Sequence, residues 1–228
     1  VDIKKLLSLI LVCSGVSATG FLFGTLDPLT FIGFFLASWV CLSSILELTL
    51  LFQFYFANSK SMKRVLPMNF RLIGRTCSHF GFGLLIFGVT AVSSWETEDI
   101  RNVKIGESFY ITSYKIVFKS IDYSLEKNFK KVSGKFEVMY KNKIVGTLYP
   151  EKRLYPSRNE VTTEASIKPT FLNDFYIVLG NKLDKNAWVI RTYIKPFISF
   201  VWFGVLLIAL GGCVSLLSFT PYRNRSKV

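Results

Sequence analysis

Apolar and polar residues come in long blocks along this chain. Leu6 to Leu26 is a run of 21 residues with no charge. Pro28 to Leu46 adds 19 more, and the apolar character continues to Phe56, interrupted by Glu47 and Gln53. Thr76 to Ser94 spans 19 residues whose only ionisable groups are Cys77 and His79, and Pro196 to Thr220 spans 25 with no charge. About 20 apolar residues, rising about 1.5 Å each, cross the roughly 30 Å hydrocarbon core of a bilayer. The blocks therefore predict four transmembrane helices, at 6–26, 29–56, 72–94 and 196–220. The apolar core of the first is longer than the roughly 7–15 residues of a cleavable signal peptide.

Between the third and fourth blocks the period changes. Residues 95–195 hold 18 Lys+Arg and 12 Asp+Glu, so this segment is solvated. Tyr114–Ile121, Lys135–Tyr140, Ile144–Tyr149, Phe175–Leu179 and Ala187–Tyr193 read as strands, the second and third joined by a short hairpin turn at Lys141-Asn-Lys143. Tyr155–Asn159 reads as a loop. About 100 residues bury a modest core of their own. The fold class expected is a polytopic α-helical membrane protein of about four transmembrane helices. An extracytoplasmic β-rich domain, 95–195, is inserted before the last helix, and a basic inner-face tail, 221–228, follows it.

Composition sharpens this. A mean hydropathy of +0.38 beside a net charge of +13 fits apolar and charged blocks laid end to end. It excludes intrinsic disorder, and four Cys in 228 residues exclude a disulfide-stapled module. Basicity invites a nucleic-acid reading, but placement favours topology. Lys4, Lys5, Lys60, Lys63, Arg64, Arg71, Arg75, Arg223, Arg225 and Lys227 all fall on one side of a four-helix path. That side is the cytoplasm or matrix by the positive-inside rule. Trp95 and Trp202 lie toward the opposite ends of their helices, where aromatic belts form. The partner implied is a lipid membrane and no nucleic acid.

Little familiar chemistry is present. Cys13, Cys41, Cys77 and Cys213 sit one to a span without metal-ligand or CxxC spacing. Phosphate loops, dinucleotide fingerprints and Ser-His-Asp sets are missing. Glu151 and Glu164 are a carboxylate pair that a charged loop also produces, so solvated structural roles come first. Glu47, late in the second helix, is read as snorkelling to the interface or pairing with an Arg of the following loop, ahead of any proton or cofactor role. The single histidine, His79, carries the most information. An ionisable group in a membrane helix is costly and by default functional. Its neighbours Gly74, Ser78, Gly81, Gly83 and Gly88 are small enough for close approach of a helix or a flat cofactor. Two readings stand: a haem or metal ligand, or a structural histidine hydrogen-bonded to a neighbouring helix.

The downstream motifs follow a recognisable order: Gly74-Arg-Thr-Cys-Ser-His-Phe-Gly81, Tyr149-Pro-Glu-Lys-Arg-Leu-Tyr155, Thr163-Glu-Ala-Ser-Ile167, Asp174-Phe-Tyr-Ile-Val-Leu-Gly180, Trp188-Val-Ile-Arg191, Lys195-Pro-Phe-Ile-Ser-Phe-Val-Trp-Phe-Gly204 and Ala209-Leu-Gly-Gly212. Over Arg71 to Leu217 this resembles the C-terminal part of the cytochrome c maturation protein F family (CcmF), the c-type cytochrome haem lyase. The first 65 or so residues match in apolar character only.

The resemblance implies a haem lyase of the bacterial or mitochondrial inner membrane. Such a lyase takes substrate haem from the haem chaperone CcmE and attaches it to the CxxCH thiols of apocytochrome c, presented by a CcmH-type protein. It implies a b-type haem held between two transmembrane histidines, His79 taking the place of the second. The other axial His would come from another segment or chain. The family's Trp-rich haem-handling segment has no counterpart in these residues. The resemblance therefore implies a split polypeptide or a piece of a longer one, in either case not catalytic alone, with the remaining CcmF parts as partners. Ser78 and Phe80 are local variations on the family pattern. Lys152 and Arg153 are candidate contacts to substrate or to haem propionates. The competing reading is a salt-bridged corner of Glu151, Lys152, Arg153 and Tyr155. The alternatives from other classes are a non-catalytic assembly or docking subunit and a haem-transporter component. A transporter would want a polar track, and the spans offer only Glu47, Gln53 and His79.

Overall fold

The computed structural model describes residues 3–22, 27–57, 62–184 and 186–217. In chain order they form α1 (Ile3–Leu22), α2 (Pro28–Ala57) and α3 (Met62–Trp95). The strands follow: β1 (Thr97–Lys104), β2 (Ser108–Ile111), β3 (Tyr114–Leu125), β4 (Lys130–Tyr140), β5 (Lys143–Leu148), β6 (Glu151–Tyr155), β7 (Glu160–Glu164), β8 (Ser166–Lys168), β9 (Asn173–Lys182) and β10 (Ala187–Pro196). The last element is α4 (Ile198–Leu217). The elements fall into a helical unit and a strand unit, the latter running from Trp95 to Pro196.

Three helical stretches are long and apolar enough to cross a membrane: Pro28–Gln53, Phe70–Trp95 and Ile198–Leu217. The apolar stretch of α1 among the described residues is shorter, Leu6–Ala18. Leu29, Leu50, Trp202 and Leu217 lie exposed on α2 and α4. That outward apolarity suits lipid rather than water. Helix α3 begins at Met62, ten residues before the start that its apolar block marks. Apolarity reports only the part of a helix that meets hydrocarbon, and the helix continues through Lys63, Arg64, Arg71 and Arg75. Lys60, Arg223, Arg225, Lys227 and the 221–228 tail lie outside the described residues.

Helix α3 is the hub of its unit. Gly74, Gly81 and Gly88 recur every seven residues and meet α4 backbone or Cβ atoms at Gly211 and Ser215, at Gly204 and Leu207, and at Phe200 and Val201. Small residues at this spacing keep one stripe of the helix close to its neighbour. Ser78 Oγ donates to Ile208 O at 3.1 Å, and Ser215 Oγ donates to Arg71 O at 3.2 Å. On its α2 side, α3 places Gly83 against Cys41 and Ala37. Thr30 Oγ and Ser94 Oγ share a hydrogen bond of 2.7 Å near the other end of this antiparallel pair.

The strand unit is a sandwich. One sheet has the order β1-β10-β9-β8, and the other β2-β3-β4-β6-β7 with β5 also on β4. Alternation explains the core. Trp188, Ile190 and Ile194 point inward from β10, Phe175, Ile177 and Leu179 from β9, Ile116 and Phe118 from β3, Phe136 and Val138 from β4. Phe118 and Phe136 face each other in register, with rings stacked 4.5 Å apart. Strands β5 and β6 are successive stretches along one side of β4. Buried Pro150 separates them and lends its carbonyl to Gly134 N at 2.9 Å. The turn between β4 and β5 has positive φ at Lys141 (φ 47) and Asn142 (φ 60), the conformation of a tight type I′ hairpin.

Candidate functional site

His79 lies in the middle of α3 and is exposed. The packing of the helix explains why. The 74/81/88 stripe faces α4, and Thr76 and Gly83 face α2. The remaining stripe, Arg75, His79, Phe82 and Val89, is exposed, as the i, i+4, i+7 rule of a single helix face requires. Contacts on two sides fix the rotation of α3 about its axis, and so fix the direction of His79. The structure thus separates His79 from the glycines that flank it in sequence. Those glycines serve helix packing, while the imidazole stands on a face that no described helix covers. Among the described residues, no group of three or more His, Cys, Asp and Glu side chains could hold a metal ion.

One turn earlier, Arg75 Nη2 is ion-paired with Glu47 Oε1. Thr76 Oγ1 lies 3.2 Å from the other carboxylate oxygen of Glu47 and 2.9 Å from Leu72 O. Glu47 therefore does find an arginine, but on α3 itself rather than on a loop. Thr76, fully buried, is a member that sequence reading missed. Its signal was available: a polar residue next to Arg75, on the helix face opposite a lone membrane carboxylate.

Lys152 and Arg153 are far along the chain, in β6. Arg153 donates from Nε and Nη2 to Glu151 Oε2 at 3.0 and 2.9 Å, and its Nη1 lies 3.9 Å from Glu164 Oε1. Its guanidinium sits 5.1 Å from the Phe129 ring centre. Hydrogen bonding to Glu151, then to Tyr155, holds the guanidinium above its ordinary pKa. Glu151 and Glu164 are directly opposite in the β6–β7 register. Like charges so placed repel, and Arg153 bridges them. Lys131 adds a second cation, 3.5 Å from Glu151 Oε1. Lys152 points to the other side of the strand and donates to Asn181 Oδ1 of β9. The two carboxylates noted in the sequence are therefore one ion-pair network rather than an acid–base pair.

Comparison with known proteins places these features. Residues 94–196 match the family model described as the CcmF C-terminal beta-sandwich. The cytochrome c-type biogenesis protein ccl1 of Rhodobacter capsulatus is 40% identical over 153 residues, 67% of this chain and 23% of the relative. CcmF of Pseudomonas fluorescens is 31% identical over 210 residues, 92% of this chain and 31% of the relative. The chain belongs to the CcmF family. It matches the C-terminal part of that family. CcmF of Escherichia coli is 30% identical over 86% of this chain and 29% of its own length. A solved structure titled "Cytochrome c Heme Lyase CcmF" shares the fold with a TM-score of 0.72 at 15% identity, covering 95% of this chain and 35% of that one. The chain thus spans between about a quarter and a third of the curated CcmF relatives it matches.

Proposed function

We propose that this chain is the C-terminal part of a c-type cytochrome haem lyase, and that His79 contributes one axial ligand to a b-type haem whose second ligand lies outside the chain. The observation that carries the reading is the exposure of His79 on the uncovered face of α3. A bare imidazole facing hydrocarbon is costly. A group that arrives from outside the chain and accepts a nitrogen lone pair removes that cost. The residues fit haem. Imidazole is a haem-iron ligand, and Phe82, on the next turn of the same face, offers an aromatic wall. The lack of a second histidine in the chain fits a ligand shared with another segment.

Bound there, haem supplies a one-electron redox centre whose potential the protein tunes through ligand and burial. The chain's own residues do the positioning. Gly74, Gly81 and Gly88 clamp α3 to α4, while the Glu47–Arg75–Thr76 set and the Thr30–Ser94 bond clamp it to α2. The imidazole then cannot swing away by helix rotation. In this reading the sandwich is the outer-face platform, on the periplasmic or intermembrane-space side, that serves the remaining CcmF segments, the haem chaperone and apocytochrome c. Arg153 serves its internal ion pairs, and Lys152 ties β6 to β9 through Asn181.

The test is a reduced-minus-oxidised visible spectrum of the chain purified with its membrane partners, wild type beside His79→Ala. A b-type signal that the variant loses, and that added imidazole restores, supports ligation. A signal unchanged by the substitution makes His79 structural and overturns the reading.

A further inference from the structure

The sandwich has two distinct ends. Thr97 pairs with Ile194 at one of them, and Pro196 pairs with Asn173 there. The chain therefore enters and leaves the strand unit side by side. Immediately outside these points in sequence lie α3 and α4, both long and apolar enough to cross a membrane. Three connections sit at this same end, the β2–β3 turn at Thr112 and Ser113 and two others. The turn after β4 joins Tyr140 to Lys143, with Tyr140 opposite Tyr114, whose ring lies 5.4 Å from Phe175 next to the exit strand. The segment between β8 and β9 runs directly into Asn173.

The last two have exposed apolar residues in them or on the strand residue beside them. Phe171 is 64% exposed, Leu172 50% and Ile144 59%. Lys141 and Lys143 are exposed beside them. We infer that this end of the sandwich rests on the bilayer, with Phe171, Leu172 and Ile144 dipping among the lipid headgroups and Lys141 and Lys143 meeting anionic phosphates. Two arguments select lipid as the occupant. The strands that leave at Pro196 and enter at Thr97 are within a few residues of membrane helices, and a residue spans at most about 3.6 Å. Apolar tips flanked by lysines are also the chemistry of an interfacial anchor, which buries about 5–10 Å into the headgroup boundary and gains from anionic lipid. The inference needs only the membrane helices and is independent of the haem reading.

Its test uses the full chain in nanodiscs containing phosphatidylglycerol and lipids brominated on the acyl chain. Tryptophan is added by Leu172→Trp, by Ile144→Trp, and by Leu125→Trp at the opposite end of β3. Emission is read as the difference from the parent chain. Supporting results are a blue-shifted added emission at 172 and 144, quenched at least about twofold more than at 125, with the excess falling in Lys141→Glu/Lys143→Glu. Added emission at 172 and 144 as red-shifted and unquenched as at 125 overturns the inference. So does quenching that ignores both the lysines and the anionic lipid fraction. Covering of this end by another protein segment would give the first overturning result in lipid alone.

Discussion

Gly81 of α3 and Gly204 of α4 face each other so closely that a Cβ on Gly81 would stand 2.7 Å from Gly204 O, and one on Gly204 would stand 2.6 Å from Gly81 O. The obstructing atoms are backbone, which has no rotamer to escape into. Gly81→Leu or Gly204→Leu is therefore expected to push the helices apart, at an overpacking cost of about 1–3 kcal/mol. Gly212, whose added Cβ would meet nothing, is the control. Unfolding of the purified chain by titrated SDS checks this: the two leucine variants unfold at lower detergent fraction, and Gly212→Leu does not.

The pair also bears on what the sequence revealed. Small residues around His79 were legible, but their purpose was ambiguous between a cofactor face and a helix face. Glycine has no side chain to declare a partner. Only the seven-residue spacing of Gly74, Gly81 and Gly88, matched by Gly204 and Gly211, distinguishes the two. Within the sandwich, β3, β4, β9 and β10 were legible because their inward residues are large and alternate, and β5 because it follows a short hairpin turn and opens on apolar Ile144 and Val145. The strands β1, β2, β6, β7 and β8 were not. β6 reads Glu-Lys-Arg-Leu-Tyr and is half-buried throughout. Its ladder partners, rather than its own hydrophobicity, make it a strand. The start of α3 was missed for the same reason, because backbone continuity through Lys63 and Arg64 leaves no apolar trace.

Glu47 and Arg75 form a cross-helix pair whose members are unequal when broken. Removing Arg75 leaves a carboxylate between two membrane helices, with Thr76 as its remaining donor. Arg75→Met is thus expected to destabilise more than Glu47→Gln, and the double variant to recover most of the loss, since uncompensated charge is the main penalty. A double-mutant cycle on the same SDS titration reads the coupling. Additive single effects would show that the pair does not tie α2 to α3.

Arg153 is expected to act on the sandwich through Glu151 and Glu164. Arg153→Met leaves those carboxylates opposed across the β6–β7 ladder. It should lower the melting temperature of the sheet signal, and Glu164→Gln in the same chain should restore part of the loss. A contact with a haem propionate makes the contrary prediction: melting unchanged, but binding of haem or its delivery impaired.

Thr192 is fully buried in β10, and its Oγ1 finds no partner among the described residues. A hydroxyl without a hydrogen bond loses its solvation on folding and regains nothing. Valine has nearly the same shape. Thr192→Val should raise stability by about 1 kcal/mol, seen as a higher melting midpoint in circular dichroism of the sheet. A lower midpoint would mean that the hydroxyl has a partner that the valine lacks.

Asp174 gives the strand unit a pH dependence with a definite sign. Burial raises its pKa, and the hydrogen bond it accepts from Thr170 N, 3.2 Å away, opposes that without cancelling it. The folded chain therefore holds the proton more tightly than the unfolded chain does. Its contribution to stability then falls as pH rises from the ordinary aspartate range, about 3.9, through the raised folded value, and levels off above it. Asp174→Asn keeps an oxygen for Thr170 N and removes the charge. The variant should match the parent at the acid end of that window and exceed it at neutral pH. Melting curves of parent and variant across the window check the sign. A parent-minus-variant difference that rises with pH through the window would show that the Thr170 bond outweighs burial.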